Sequence, residues 1–146
     1  MQTELKLVEV FSDNFVTYYK AHSVHFNITG DDFYSNHKLL QKIYEDAQDA
    51  IDDLGELIRS MGAYAPMTIR EILDCADIEE NITTESWAEE LQLVLDGQNH
   101  MISTYRDLNK IAEEEDECDV ANFAQDRIRT HKKFAWMLEA TLAQGD

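Results

Sequence analysis

The scarcity of helix breakers is the feature that most constrains how this chain can fold. One proline and five glycines occur among 146 residues, whereas leucine, alanine, glutamate, aspartate, isoleucine and glutamine are abundant. Proline and glycine disfavour helix interiors more than other residues do, so long stretches of the chain can remain helical. The sequence therefore predicts an all-α fold, and its length suits a single domain over residues 1–146.

Apolar residues that recur every three or four positions predict four long helices. We expect them at about 4–28, at 33–61, from 84 or 86 to the acidic run at 113–117, and at 120–143. The inward stripe of the first helix is expected to comprise Val8, Phe11, Phe15, Tyr18, His22 and His25. Two capping boxes, Thr68-x-x-Glu71 and Ser86-x-x-Glu89, mark the start of a short extra helix and of the third long helix.

The net charge of −18, from thirty acidic against twelve basic residues, bears on the partners this chain can have. Such a field repels phosphate backbones unless the cations are concentrated, and Lys and Arg are scattered along the sequence. Nucleic acid is therefore disfavoured as a partner. The negative field either attracts metal cations or provides a soluble or salt-adapted surface, and both explanations stay open.

Location and redox state follow from what the sequence lacks. No stretch approaches the roughly 18 consecutive apolar residues of a membrane span, and the N-terminus lacks the apolar region of a signal peptide. We therefore expect a soluble cytoplasmic protein with no membrane partner. Cys75 and Cys118 are far apart without CxxC spacing, so free thiols are expected rather than a disulfide or a zinc site.

Four residues have the donor chemistry of a transition-metal site: His25, His37, Asp52 and Glu56. Two imidazoles with two carboxylates suit a divalent ion such as Fe(II), Mn(II) or Zn(II). If one helix carries His37 and Asp52, they lie roughly 22 Å apart, so the histidines must meet the carboxylates of another subunit. Taken singly, these residues are typical of ordinary helix surfaces, but their combined spacing predicts a metal centre at a subunit interface.

Several spaced motifs resemble those of the Dps mini-ferritins. They are residues 21–30, Phe33, Asn36-His37, Asp52-x-x-x-Glu56, 60–62, 64–71 and 127–138. The family typically shows an HWNxxG motif, a second histidine on the next helix, and a DxxxE pair further along it. The resemblance covers nearly the whole chain. It implies a ferritin-like four-helix bundle with a short extra helix in the long crossover between the second and third long helices.

The resemblance also implies a function and an assembly. Dps mini-ferritins are hollow dodecamers that bind Fe(II) at dimer interfaces, oxidise it preferentially with hydrogen peroxide, and store ferric mineral, which protects against oxidative stress. Carried over residue by residue, His25 and His37 of one subunit and Asp52 and Glu56 of its partner would form the ferroxidase site. Zn(II) could occupy this site in place of iron, and oxygen could replace peroxide as the oxidant.

Two departures from the family pattern bear on the site. Gln41 stands where the family often has an aspartate, four residues after the second histidine, so a second iron would be held only loosely. Phe26 replaces the family tryptophan, which removes an oxidisable ring at that position, and Tyr44 or Trp136 could substitute only if the geometry allows. His22 is expected to support the site rather than to bind metal.

Acidic residues elsewhere are candidates for moving and depositing iron. The resemblance implies pores at threefold axes, for which this chain offers Glu117, Asp119, Asn122 and Asp126. A solvated acidic loop explains each of these residues nearly as well. The candidates for nucleating mineral on the inner surface are Glu45, Asp46, Asp49 and Asp53. His100 and His131 are expected to be packing or surface residues.

Two alternatives to an iron-oxidising shell stay open. Many Dps proteins bind and protect DNA, but the charge of −18 and the missing lysine-rich tail count against this role. The shell could also carry a zinc-occupied or inactive site, which Gln41 suggests. A di-iron centre inside the bundle is disfavoured, because it requires Glu-x-x-His pairs and no histidine here follows a glutamate by three residues.

Overall fold

The computed structural model describes residues 1–81 and 86–143. Its helices are α1 (Gln2–Asn27), α2 (Phe33–Ser60), α3 (Ile69–Cys75), α4 (Trp87–Glu114) and α5 (Cys118–Leu142), and the described residues include no strand. α1 packs against α2 and α4, α4 packs against α5, and the short α3 lies against α1. The predicted all-α bundle with one short helix in the long crossover is confirmed. Of the helices in the described ranges, none is long and apolar enough to cross a membrane.

The hydroxyl hydrogen bond of each predicted capping box is present. The Thr68 hydroxyl accepts a hydrogen bond from the Glu71 N–H at 3.0 Å, and the Ser86 hydroxyl accepts one from the Glu89 N–H at 3.1 Å. These bonds satisfy backbone donors that have no partner within the helix. Ser86 is the N-cap of α4, whereas residue 84, the alternative start, lies outside the described residues.

The turn between α4 and α5 is shorter than predicted. α4 continues to Glu114 and α5 begins at Cys118, so the turn contains only residues 115–117. Asp119, which precedes the predicted helix at 120–143, belongs to the first turn of α5, where a negative charge is favoured by the helix dipole. Asp116 reverses the chain with a left-handed φ of 61°.

Glu115 connects this turn to the beginning of α1. Its carboxylate accepts hydrogen bonds from the backbone N–H groups of Gln2 and Thr3 at 3.1 and 2.7 Å. Bonds from Thr3, first from its hydroxyl and then from its N–H, lower the pKa of Glu115 and keep it charged. The carboxylate therefore caps α1, which explains why this helix begins two residues before the predicted start.

The buried face of α1 differs from the predicted stripe. Four of the predicted residues, Val8, Phe15, Tyr18 and His22, are only half-buried. The buried row is offset around the helix and includes Thr3, Leu7, Val10, Asn14, Thr17, Ala21 and Val24. Apolar periodicity missed this row because its middle is polar.

Asp13 attaches the long crossover to the bundle. Its fully buried carboxylate accepts hydrogen bonds from the backbone N–H groups of Asp77 and Ile78 at 2.7 and 2.9 Å. Its second oxygen lies 2.8 Å from His100 Nε2, and this hydrogen bond raises the pKa of His100. His100 is therefore not a simple packing or surface residue, because it joins α4 to α1 and the crossover.

A polar layer crosses the middle of the bundle between two apolar clusters. Arg127 donates to both carboxylate oxygens of Asp46 at 3.0 and 2.7 Å and lies 3.1 Å from His131 Nε2. His131 Nδ1–H donates to Gln98 Oε1 at 2.6 Å, so Nε2 is the acceptor for Arg127. Burial, and then the charge of Arg127, lowers the pKa of His131 well below its ordinary value.

The polar layer, defined as Asp46, Gln98, Tyr105, Arg127 and His131, corrects two expectations. Asp46 is paired with Arg127 and is not a free carboxylate for mineral nucleation. His131 is a buried hydrogen-bonding residue rather than packing or surface, and it stacks on Tyr105 at a centroid distance of 5.7 Å. Burial raises the pKa of Tyr105 to about 12, so it is neutral as well.

Removing the Asp13 carboxylate should destabilise the fold. We expect Asp13→Ala to lower the free energy of unfolding by about 3 kcal/mol, because two backbone donors and His100 lose a buried acceptor. Denaturant unfolding followed by far-UV circular dichroism measures this change. The matched control is Asp49→Ala, an exposed acid on α2, which should change stability by less than about 0.5 kcal/mol. Equal effects of both substitutions would contradict the anchoring role of Asp13.

The buried His131 should make the fold sensitive to acid. Below about pH 6.5 the unfolded chain binds a proton at His131 that the folded chain does not, so stability falls as the pH falls. This histidine should contribute a slope of up to about 1.4 kcal/mol per pH unit. We expect His131→Gln to be less stable at neutral pH, but with a flatter decline between about pH 6.5 and 5. Unfolding free energies measured at several pH values test this, and parallel curves would refute it.

Candidate metal centre

A tight turn between α1 and α2 brings His25 and His37 together. Gly30 adopts a φ of +126°, which side-chain-bearing residues rarely adopt, and a Cβ there would lie 3.1 Å from the Trp87 ring. The chain reverses over residues 28–32, so the end of α1 lies beside the start of α2. The two imidazole rings stack with centroids 3.7 Å apart and an interplanar angle of 17°.

The two histidines fix each other through the main chain. His25 Nδ1 lies 2.9 Å from the carbonyl oxygen of His37, and His37 Nδ1 lies 2.9 Å from the carbonyl oxygen of His25. A carbonyl can only accept, so each Nδ1 must carry a proton, which assigns the lone pair of the neutral tautomer to Nε2. This is the arrangement that a metal-binding histidine needs. We call these two residues the imidazole half-site.

Aromatic rings surround the imidazole half-site. His22 stacks on Tyr44 at 3.8 Å and on Phe26 at 4.5 Å, and its Nδ1 lies 2.8 Å from the Tyr18 hydroxyl. Burial, and then the nearby His25, lowers the pKa of His22. Tyr44 also meets His25 edge-on at 5.0 Å. An oxidisable ring is therefore adjacent to the half-site although Phe26 is not a tryptophan.

The rim of the imidazole half-site is apolar and open in a single chain. Phe33 stacks on His37 at a centroid distance of 5.0 Å. Phe33 is 41% exposed and Phe26 is 61% exposed. Large apolar side chains that remain accessible around a polar site are typical of a surface that another molecule covers.

Asp52 and Glu56 form the second part of the predicted ligand set, the carboxylate half-site. Both are exposed, and they line a shallow surface depression with Ile51, Gly55, Arg59 and Ala65. α2 is continuous from Phe33 to Ser60, which places His37 and Asp52 roughly 22 Å apart along one helix. Within residues 1–81 and 86–143, no three His, Cys, Asp or Glu side chains are arranged to hold a metal. One chain therefore presents two separate half-sites.

Gln41 lies one turn after His37 on α2. It is half-buried, and its Nε2 donates a hydrogen bond to Glu45 Oε1 at 2.9 Å. The amide oxygen is a neutral ligand, weaker than the carboxylate that the family often has there. Gln41 is thus a weak candidate metal ligand one helical turn from the imidazole half-site.

The candidate pore residues lie at the α4–α5 turn and along the exposed side of α5. Asp119, Asn122 and Asp126 are exposed, and Glu117 is half-buried. Asp126 forms an ion pair with Arg129, with 3.3 Å between Asp126 Oδ1 and Arg129 Nη1. Beside them is a surface pocket lined by Glu113, Asp116, Cys118, Ala121, Asn122 and Gln125. Cys75 and Cys118 are free thiols.

The polar layer inside the bundle is a poor alternative metal site. A cation there would face the guanidinium of Arg127, and the Asp46 carboxylate is already paired with that group. Both ring nitrogens of His131 are engaged in hydrogen bonds. The electrostatics therefore disfavour a divalent ion in the polar layer.

Sequence reasoning named the four candidate ligands but assigned no role to two residues beside them. Phe33 stacks on His37, and Arg59 lines the depression that contains Asp52 and Glu56. A helical signal existed for both. Phe33 is one turn before His37, and Arg59 is three residues after Glu56, so each shares the face of the candidate ligand.

Comparison with known proteins extends to almost the full chain. A family model described as a ferritin-like domain matches residues 4–146. The DNA protection during starvation protein of Helicobacter pylori is 31% identical, covering 98% of this chain and 100% of that protein. The protein of the same name from Brevibacillus brevis is 30% identical, covering 87% of this chain and 85% of that protein.

A solved structure gives the same result for the fold. The crystal structure of a Dps protein from Vibrio cholerae O1, described as a member of a broad superfamily of ferritin-like diiron-carboxylate proteins, has a TM-score of 0.92. It is 27% identical, and the match covers 97% of this chain and 89% of that chain. The resemblance predicted from the spaced motifs is confirmed, and the chain belongs to the Dps family of ferritin-like mini-ferritins.

Proposed function

We propose that this protein oxidises Fe(II) at centres shared between two copies and stores the ferric product inside a hollow shell. The observation that supports this most strongly is the division of one iron-type donor set between the two ends of a continuous α2. Each half-site has too few donors by itself. Two copies related by a twofold axis would complete both, because each copy offers imidazoles at one end and carboxylates at the other.

The proposed pairing has a defined geometry. A twofold axis that brings His37 to the partner's Asp52 also brings Asp52 to the partner's His37. The two centres of one pair are then roughly 22 Å apart, the distance between these residues along α2. The exposed Phe26 and Phe33 would be covered by the partner, which removes apolar surface from water.

The proposed chemistry follows from the donor set. His25 and His37 would bind Fe(II) as neutral imidazoles through Nε2, and Asp52 and Glu56 of the other copy would supply negative charge. Carboxylates stabilise Fe(III) more than Fe(II), so they favour electron loss. With hydrogen peroxide, two Fe(II) each lose one electron, the O–O bond breaks, and two protons complete two waters. No hydroxyl radical is released, because the peroxide receives both electrons. Oxygen is the alternative oxidant.

The storage role requires an assembly and an entry route. We propose a cytoplasmic dodecamer in which Fe(II) enters through acidic pores that include Glu117, Asp119 and Asp126. Repeated carboxylates around a symmetry axis lower the energy of an entering cation. Zn(II) suits the same imidazole and carboxylate donors, so it would compete with Fe(II) at the centres.

Protection of DNA would not require contact with DNA. Two relatives carry the name DNA protection during starvation protein, but a net charge of −18 opposes binding to a phosphate backbone. Consuming Fe(II) together with peroxide would lower the yield of hydroxyl radical near DNA. We therefore propose the chemical form of protection for this chain rather than an architectural role.

Complementation between two inactive variants tests the shared centre. We expect His37→Ala, and Asp52→Ala combined with Glu56→Ala, to slow ferric absorbance at least about tenfold after anaerobic Fe(II) loading and peroxide addition. Co-expression of both chains should restore about a quarter of the wild-type centres, because half of the random pairs are mixed and each mixed pair has one intact centre.

The control for complementation is the same two variants purified separately and then mixed as intact particles, which should stay inactive. Glu139→Ala, an exposed α5 acid outside the half-sites, should retain wild-type rates. Failure of the co-expressed chains to regain activity, although mass spectrometry shows mixed particles, would refute the shared centre.

Gln41 should limit how much iron each centre holds. We expect anaerobic titration to find about one tightly bound Fe(II) per centre in the natural protein and about two in Gln41→Asp, because a carboxylate replaces a neutral amide. The matched control is Gln92→Asp on α4, since Gln92 makes the same hydrogen bond to Asp96, at 2.9 Å, that Gln41 makes to Glu45. An unchanged stoichiometry in Gln41→Asp would contradict this role.

A further inference from the structure

Arg59 is a cation beside the carboxylate half-site, and it has no ion-pair partner among the residues that the structure describes. Its Nη1 donates to the carbonyl oxygen of Ala63 at 2.7 Å, and its guanidinium lies 4.2 Å from the Tyr64 ring centroid. Glu56 is three residues earlier, but none of the ion pairs within residues 1–81 and 86–143 includes Arg59. Two contacts within the chain therefore orient an exposed guanidinium without neutralising it.

The proposed pairing determines what faces Arg59. Two centres roughly 22 Å apart fix α2 and the partner's α2 at two points, which forces the helices to run nearly antiparallel. In an antiparallel pair, each step forward along one helix is a step back along the other, so the numbers of two facing residues have a constant sum. If residue 37 faces partner residues 52–56, that sum is about 89–93. Residue 59 then faces partner residues at about 30–34. This register uses only the proposed function and the continuity of α2.

Residues 31 and 32 are both aspartates, and they lie in the turn just before α2. Both are exposed, and Asp32 is the N-cap residue but makes no capping hydrogen bond through its side chain. In the part of the chain that the structure describes, neither carboxylate forms an ion pair. Arg59 is two helical turns after Asp52, so it projects from the same side of α2 as the carboxylate half-site.

We propose that Arg59 forms an ion pair across the twofold interface with the partner's Asp31 or the partner's Asp32. The inference rests on the proposed function, because the register comes from the shared centre. The contact occurs twice in each pair of chains. The ion pair also offsets part of the electrostatic repulsion between the two chains, which each carry a charge of −18 and repel each other at low salt. A cation at the interface face reduces that repulsion at the point where the acidic turn approaches.

Charge reversal with rescue tests the pairing in the metal-free protein. We expect Arg59→Glu, and Asp31→Lys combined with Asp32→Lys, each to weaken self-association about tenfold at low salt in a sedimentation dilution series. The combination of all three substitutions should return the dissociation midpoint to within about threefold of the natural protein. Arg106→Glu, which changes the net charge equally from an exposed position on α4, is the control and should have little effect.

The outcomes separate this inference from the proposed function. Weakening by Arg59→Glu that the aspartate reversals do not rescue would overturn the pairing and assign the effect to the contacts with Ala63 and Tyr64. No weakening at all would overturn it too. Because the readout uses no iron, successful His37 and Asp52 complementation with failed charge rescue would refute only the ion pair. Far-UV circular dichroism of each variant confirms that the helices are retained.

Discussion

The continuity of α2 is the constraint on which the proposed chemistry depends. A helix adds about 1.5 Å per residue and does not bend back on itself, so His37 cannot approach Asp52 in the same chain. One chain contains enough candidate ligands for a metal site, but the histidines and the carboxylates are too far apart to bind the same ion. Either these residues have no common role, or a second copy brings the missing half. The membership of the Dps family and the apolar rim around the histidines favour the second explanation.

The polar groups inside the bundle have a structural role, whereas the candidate ligands lie near its surface. In the polar layer Arg127 bonds to Asp46 and to His131, and His131 also bonds to Gln98, so the carboxylate and the imidazole there have structural partners and are not free to bind a metal. Asp13 and Glu115 connect segments that are remote in sequence, one to the crossover and the other to the beginning of α1. The half-sites are thus carried on a framework whose loops are attached by buried or capping carboxylates.

The sequence predicted what depends on local spacing and failed where partners are remote. The helices and the two capping boxes were found because periodicity and hydroxyl caps act within one turn. Asp13 was not recognised, since its partners Asp77 and His100 are more than sixty residues away and leave no periodic signal. The four candidate ligands were predicted from the resemblance and the spacing, but the tautomer of His25 and His37 required coordinates. Arg59 was given no role although it shares a helix face with Glu56, because an arginine near an acidic residue on a helix surface does not by itself indicate a function.

The reciprocal bonds between the two histidines and each other's carbonyl groups carry an evolutionary implication. The hydrogen-bond partners that orient the two candidate ligands are peptide oxygens, which every amino acid supplies. Such an arrangement requires no particular side chain beyond the two histidines. Selection to maintain it would act instead on Gly30, whose backbone angles set the path of the chain between the two helices.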